Sequence, residues 1–126
     1  MPNKSVRFLV LGNGEKAGVP EQAEALCRRI ARAGGTVEAI DLSGEASVDG
    51  HGADLALVLG GDGAILRAAH QMGRSQVPVL GINLGRLGFL AAIGPDEIDE
   101  VLPILLAGKH EIRKNVMLDC QTRTGS

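Results

Sequence analysis

The stretch Leu55–Met72, LALVLGGDGAILRAAHQM, decides the fold. Leu55 to Leu59 is apolar without interruption, the pattern of a strand buried on both faces of a parallel sheet. Gly60-Gly61-Asp62-Gly63 breaks the run. From Ala64 onward, Ile65, Leu66, Ala68, Ala69 and Met72 recur at helical spacing, and Gly73 stops the helix. Strand, glycine turn and helix in this order are the first half of a βαβ unit.

The same alternation extends in both directions. Toward the N-terminus, Val6–Leu11 is a β-favouring run closed by Gly12-Asn13-Gly14. Pro20 sits where a first helical residue tolerates it, and Glu21–Ala33 places Ala23, Leu26, Cys27, Ile30 and Ala31 on one apolar stripe. Gly34-Gly35 ends that helix, Thr36–Ile40 reads as a second strand, and the polar, glycine-rich Asp41–Ala53 reads as a loop with at most one helical turn. Toward the C-terminus, Val77–Ile82 is another buried strand with Pro78 at its start. The glycine-punctuated segment Asn83–Leu90 follows it. Pro95-Asp96-Glu97 opens a last helix on Ile98, Val101, Leu102, Leu105 and Leu106, which Pro103 is expected to kink or split. Val116–Arg123 alternates as a half-buried strand with no partner strand after it, as the first element of a second domain would. The order β-α-β-β-α-β-α-β predicts an α/β fold: an open, mostly parallel sheet with helices on both faces, in three layers.

Composition narrows the class. At 126 residues and 44% hydrophobic, the chain suits one core, built from Leu, Ile, Val and Ala because there are two Phe, no Trp and no Tyr. A net charge of -2 offers no footprint for nucleic acid or an anionic membrane. Cys27 and Cys120 form neither a disulfide framework nor a metal pair, and read as buried thiols. No apolar run reaches the roughly 20 residues of a membrane span, and no signal-peptide pattern opens the chain, so a cytoplasmic protein is expected. His51, His70 and His110 lack metal-site spacing and are expected at the surface. Asp96, Glu97, Asp99 and Glu100 read as favourable charge at a helix N-terminus.

The Gly60–Gly63 turn carries the chemistry. Unpaired N–H groups at a helix start attract anions, and glycines let a phosphate or ribose approach the backbone. The turn also follows a strand, where open α/β sheets bind ligands. Asp62 is repulsive to a phosphate unless it takes a proton or meets a cation, the two roles a phosphotransferase needs. The plainer alternative is a tight turn in which Asp62 caps the next helix. The loop lacks the Gly-Lys-Ser/Thr ending of a P-loop. Gly12-Asn13-Gly14-Glu15-Lys16-Ala17 lacks the third glycine of a dinucleotide fingerprint, which disfavours a dehydrogenase.

Leu57–Ala69 (LVLGGDGAILRAA) resembles the GGDG motif of NAD kinases, and Gly81–Leu90 (GINLGRLGFL) resembles that family's second glycine-rich motif. Lys109–Cys120 is similar to the passage leading into the family's second domain. The resemblance implies phosphorylation of the adenosine-ribose 2′-hydroxyl of NAD by ATP or polyphosphate, with Mg²⁺, giving NADP. It implies Asp62 as the proton acceptor. Gly60, Gly61, Gly63, Leu66, Arg67, Asn83, Arg86, Gly88 and Phe89 would contact the nucleotide. It further implies a nucleotide-binding domain over residues 1–112, with 113–126 opening a β-rich second domain, in a parent that is a homo-oligomer. The family's usual Thr or Ser after GGDG is Ala64 here, and its Asn-Glu motif occurs nowhere in the sequence. The chain is therefore expected to be a fragment of low activity alone. A lipid kinase sharing GGDG and a non-catalytic nucleotide-binding or assembly module are the rival readings.

Overall fold

Burial organises the chain from its centre outward. The structure, a computed structural model, describes residues 6–84 and 91–107. Its strands are β1 (Arg7–Gly12), β2 (Thr36–Asp41), β3 (Leu55–Leu59), β4 (Val79–Ile82) and β5 (Ala91–Ile93). The helices are α1 (Val19–Ala33), α2 (Asp62–Met72) and α3 (Ile98–Leu106), the last preceded by a 3-10 turn at Pro95–Glu97. All strands pair in parallel, in the spatial order β2-β1-β3-β4-β5.

Every residue of β3 is buried, as the uninterrupted apolar run requires. Alternate residues enter two separate cores. Leu55, Leu57 and Leu59 join Phe8 and Val10 beneath α1 and α3, which contribute Leu26, Ile30, Leu102 and Leu105. Ala56 and Val58 join Leu9 and Leu11 beneath α2, which contributes Ile65, Ala68 and Met72. This is the expected three-layer sheet. Right-handed crossovers explain the layering, because the chain moves from β1 to β2 on one side and from β3 to β4 on the other.

α1 begins at Gly18, whose φ of 88° turns the chain ahead of Pro20. It ends at Gly34, φ 101°, where the N–H groups of Gly34 and Gly35 donate to Ala31 and Ile30 carbonyls. Cys27 on this helix is half-buried, and burial pushes its thiol up, away from the reactive thiolate.

Three expectations are corrected. First, the segment after β4 contains a further strand, β5, which three residues of Ala-Ala-Ile do not announce by composition. It forms because β4 otherwise presents a bare edge, and the Asn83 N–H donates to the Ile93 carbonyl at 2.8 Å. Second, Pro103 does not split α3, which continues to Leu106, and the Pro103 carbonyl accepts from the Ala107 N–H at 3.0 Å. The 42–54 connection is a loop, as expected, and holds no helical turn. Turns at Ser43 fill its start, and Val48 and Ala53 cover the α2 core where a crossover helix would lie. Third, His51 is half-buried instead of exposed. Its Nδ1 accepts from the Ala53 N–H at 2.7 Å, so Nε2 carries the proton and donates to the Ser75 carbonyl at 2.7 Å. His70 is exposed as expected, while His110, Cys120 and the Val116–Arg123 strand lie outside the described residues.

The burial contrast yields a stability prediction. Leu57, 1% exposed, should lose about 2–5 kcal/mol on substitution by Ala. Ile104→Ala, at 48% exposure, should change stability by no more than about 0.5 kcal/mol. Urea unfolding followed by circular dichroism measures both.

Candidate functional site

At the carboxyl end of β3 the backbone must leave the sheet and enter α2 within two residues. Gly60 takes φ +140°, and a Cβ there would lie 2.9 Å from Ala64 Cβ. Its N–H donates to the Ile82 carbonyl at 2.9 Å, so the turn stays tied to β4. Gly61 is the helix N-cap, and its carbonyl accepts from the N–H groups of Ala64 and Ile65 at 3.1 and 3.2 Å. Asp62 is therefore already the first residue of α2, two residues earlier than the sequence pattern suggests, and it does not occupy the cap. A Cβ at Gly61 or Gly63 would meet nothing within 4 Å among the described residues. The fold needs a glycine at Gly60; at Gly61 and Gly63 it leaves open space.

The turn forms one wall of a cleft of about 690 Å³ that also takes in the end of β1. Strand order explains the position. The chain departs from β1 toward β2 and from β3 toward β4, so the loops leaving β1 and β3 diverge and open a crevice between them. Gly12 keeps the strand ends close, since a Cβ there would come within 3.0 Å of the Leu59 carbonyl oxygen.

Among the described residues three charged ones line the cleft: Lys16 from the β1–α1 turn, and Asp62 and Arg67 from α2. Among the described residues neither Lys16 nor Arg67 is in a salt bridge. Arg67 lies along Gly44, where φ is +76° and a Cβ would sit 3.2 Å from Nη1. Gln71, 4% exposed, holds that segment on α2: its Nε2 donates to Asp41 Oδ2 at 2.7 Å and to the Ala46 carbonyl at 2.8 Å. Asn83, 9% exposed at the end of β4, closes the far side.

Of the residues singled out by sequence, Gly60, Gly61, Asp62, Gly63, Arg67 and Asn83 line this one cleft. Leu66 does not; it is 50% exposed on α2 and absent from the lining. Arg86, Gly88 and Phe89 lie outside the described residues. Sequence reasoning missed Gly12, Asn13, Lys16, Gly44 and Gln71, all of which line the cleft. Gly12-Asn13-Gly14 carried the available signal, a glycine turn closing a buried strand. Among the described residues no three His, Cys, Asp or Glu side chains converge as a metal cage, and no helix is long and apolar enough to cross a membrane.

The family model described as the ATP-NAD kinase N-terminal domain matches residues 8–110. The chain belongs to that family. It is 39% identical over 115 residues to an NAD kinase of Rhodopirellula baltica, covering 91% of this chain and 37% of the relative. It is 47% identical over 72 residues to an NAD kinase of Pseudomonas aeruginosa, covering 57% of this chain and 24% of the relative. The chain thus matches between 24% and 37% of the length of these relatives. The crystal structure of yeast NADH kinase complexed with NADH shares the fold, with a TM-score of 0.68 at 19% identity over 85% of this chain and 37% of that one.

The glycines of the turn should separate by substitution. Gly60→Ala is expected to cost about 1–3 kcal/mol from its backbone conformation and the contact with Ala64. Gly63→Ala, in the first turn of α2, should leave stability unchanged or raise it by about 0.4–1 kcal/mol. Chemical denaturation of the two variants checks the ordering.

Proposed function

We propose that this chain is the nucleotide-binding half of an NAD kinase, transferring a phosphoryl group from ATP to the 2′-hydroxyl of the adenosine ribose of NAD. One observation carries the reading. Asp62 is fixed as the first residue of α2, on the wall of the switch-point cleft, between two glycines whose Cβ positions open onto empty space. Such a backbone admits a ribose, and the carboxylate beside it accepts a proton from a hydroxyl.

On this reading the 2′-oxygen forms a bond to the γ-phosphorus while the bond to the β–γ bridging oxygen breaks. Asp62 takes the hydroxyl proton, and ADP carries away the electron pair. Arg67, five residues along α2 from Asp62 and lining the same cleft, meets phosphate charge with a guanidinium that no carboxylate among the described residues engages. The chemistry that Mg²⁺ would supply here is charge neutralisation on the donor phosphates. A cleft in which Asp62 is the one lining carboxylate among the described residues suits an ion carried in on phosphates better than a protein cage. The complete enzyme is read as a cytoplasmic homo-oligomer whose second, β-rich domain supplies the remainder of the NAD site.

The measurement is NADP formation from NAD and ATP-Mg²⁺ by the full-length protein carrying this chain. NADP should form; phosphorylation of a lipid with no NADP would sink the assignment. Asp62→Asn should lower kcat by about 10²–10⁴-fold while NAD still binds, as followed by calorimetry. Undiminished turnover would remove Asp62 from the role of base.

A further inference from the structure

The two walls of the cleft belong to opposite faces of the sheet. Asp62 and Arg67 stand on α2, and across from them the β1–α1 turn brings Lys16 to the lining, the cation of that wall among the described residues. That turn is not a slack loop. Gly14 N–H donates to the Leu42 carbonyl at 2.7 Å, anchoring the turn to the end of β2. Asn13 Oδ1 accepts from the Glu15 N–H at 3.0 Å, and the Asn13 carbonyl accepts from the Lys16 N–H at 3.1 Å. The Lys16 carbonyl in turn accepts from the Val19 N–H at 3.2 Å, at the start of α1. The backbone of Lys16 is thus held at both its polar groups, and its exposed side chain meets no carboxylate at salt-bridge distance among the described residues.

We infer that Lys16 binds the polyphosphate chain of the phosphoryl donor, and that the β1–α1 turn is the donor side of the cleft. The inference rests on the proposed role of Asp62 as base. In-line transfer places the leaving group on the side of the phosphorus away from the attacking hydroxyl. With the hydroxyl at Asp62, the leaving oxygen lies toward the opposite wall, where Lys16 is the cation that lines the cleft. A lysine ammonium serves there as a point charge for phosphate oxygens, without the directional fork that arginine would impose. Asn13 acts as a positioning residue, since its side chain and carbonyl shape the turn that presents Lys16.

Steady-state kinetics of the full-length protein test this. Lys16→Ala should raise KM for ATP about tenfold, the loss of one charge-assisted contact, while KM for NAD stays within about twofold. Lys16→Arg should retain most of the donor affinity. An unchanged KM for ATP overturns the inference. So does a rise in KM for NAD instead, which would give Lys16 to the dinucleotide's pyrophosphate. A second arm separates this result from the assignment of the reaction: inorganic tripolyphosphate is titrated calorimetrically into the protein, with and without Lys16→Ala. If no NADP forms, yet tripolyphosphate binds and Lys16→Ala weakens it about tenfold, the assigned reaction fails and the phosphate site stands. Tripolyphosphate binding that is absent, or that Lys16→Ala leaves unchanged, overturns the site.

Discussion

Leu55, Leu57 and Leu59 enter the layer beneath α1 and α3, while Ala56 and Val58 enter the layer beneath α2. A slip of one residue would drive the three leucines into the side packed for alanine and valine, and leave a void where they had been. β3 therefore has one register, Val10 opposite Leu57 on one side and Leu57 opposite Leu80 on the other. From that register follow the level at which Gly60 leaves the sheet and its hydrogen bond to Ile82. The placement of Asp62 at the head of α2 follows in turn. Core packing and site geometry are here the same constraint.

The second support of the site is polar. Asp41, at the end of β2, gathers Ser43 Oγ, the Gly44 N–H and Gln71 Nε2 on its carboxylate. A buried amide on α2 thereby holds the loop against which Arg67 lies. Leaving such a group without its partners costs roughly 1–3 kcal/mol, so Gln71 fixes the loop more firmly than the surface pair Glu24–Arg28 fixes anything. At the other end of the same connection, His51 ties the chain to Ser75 and leads it into β3. The two clamps let a segment without a helix cover the α2 core.

The departures from sequence expectation have one origin. β5 is too short and alanine-rich to register as a strand, and exists because β4 offers an unpaired edge beside it. His51 looked like a surface residue because a lone histidine between glycines says nothing about the carbonyl of Ser75, 24 residues away. Lys16 carries no local signal of a site, since its turn lacks a dinucleotide fingerprint; what brings it to the cleft is the position of β1 beside β3.

Periodicity along the chain was enough to determine β3, the extents of α1 and α2 within about two residues, the layering, and Gly60–Gly63 as a turn built for close approach. The GGDG and Gly81–Leu90 motifs were enough to place the chain in its family, which the match over residues 8–110 bears out. Each of these is a property of neighbouring residues, legible because side chains on one strand or helix face repeat at a fixed spacing. Tertiary structure alone decided which elements meet: that β1 lies between β2 and β3, that Lys16 lines the same cleft as Asp62 and Arg67, and that Gln71 braces a loop 25 residues before it. Spacing within an element carries no information about contacts between elements. Those are set by the packing of whole layers and the handedness of their connections.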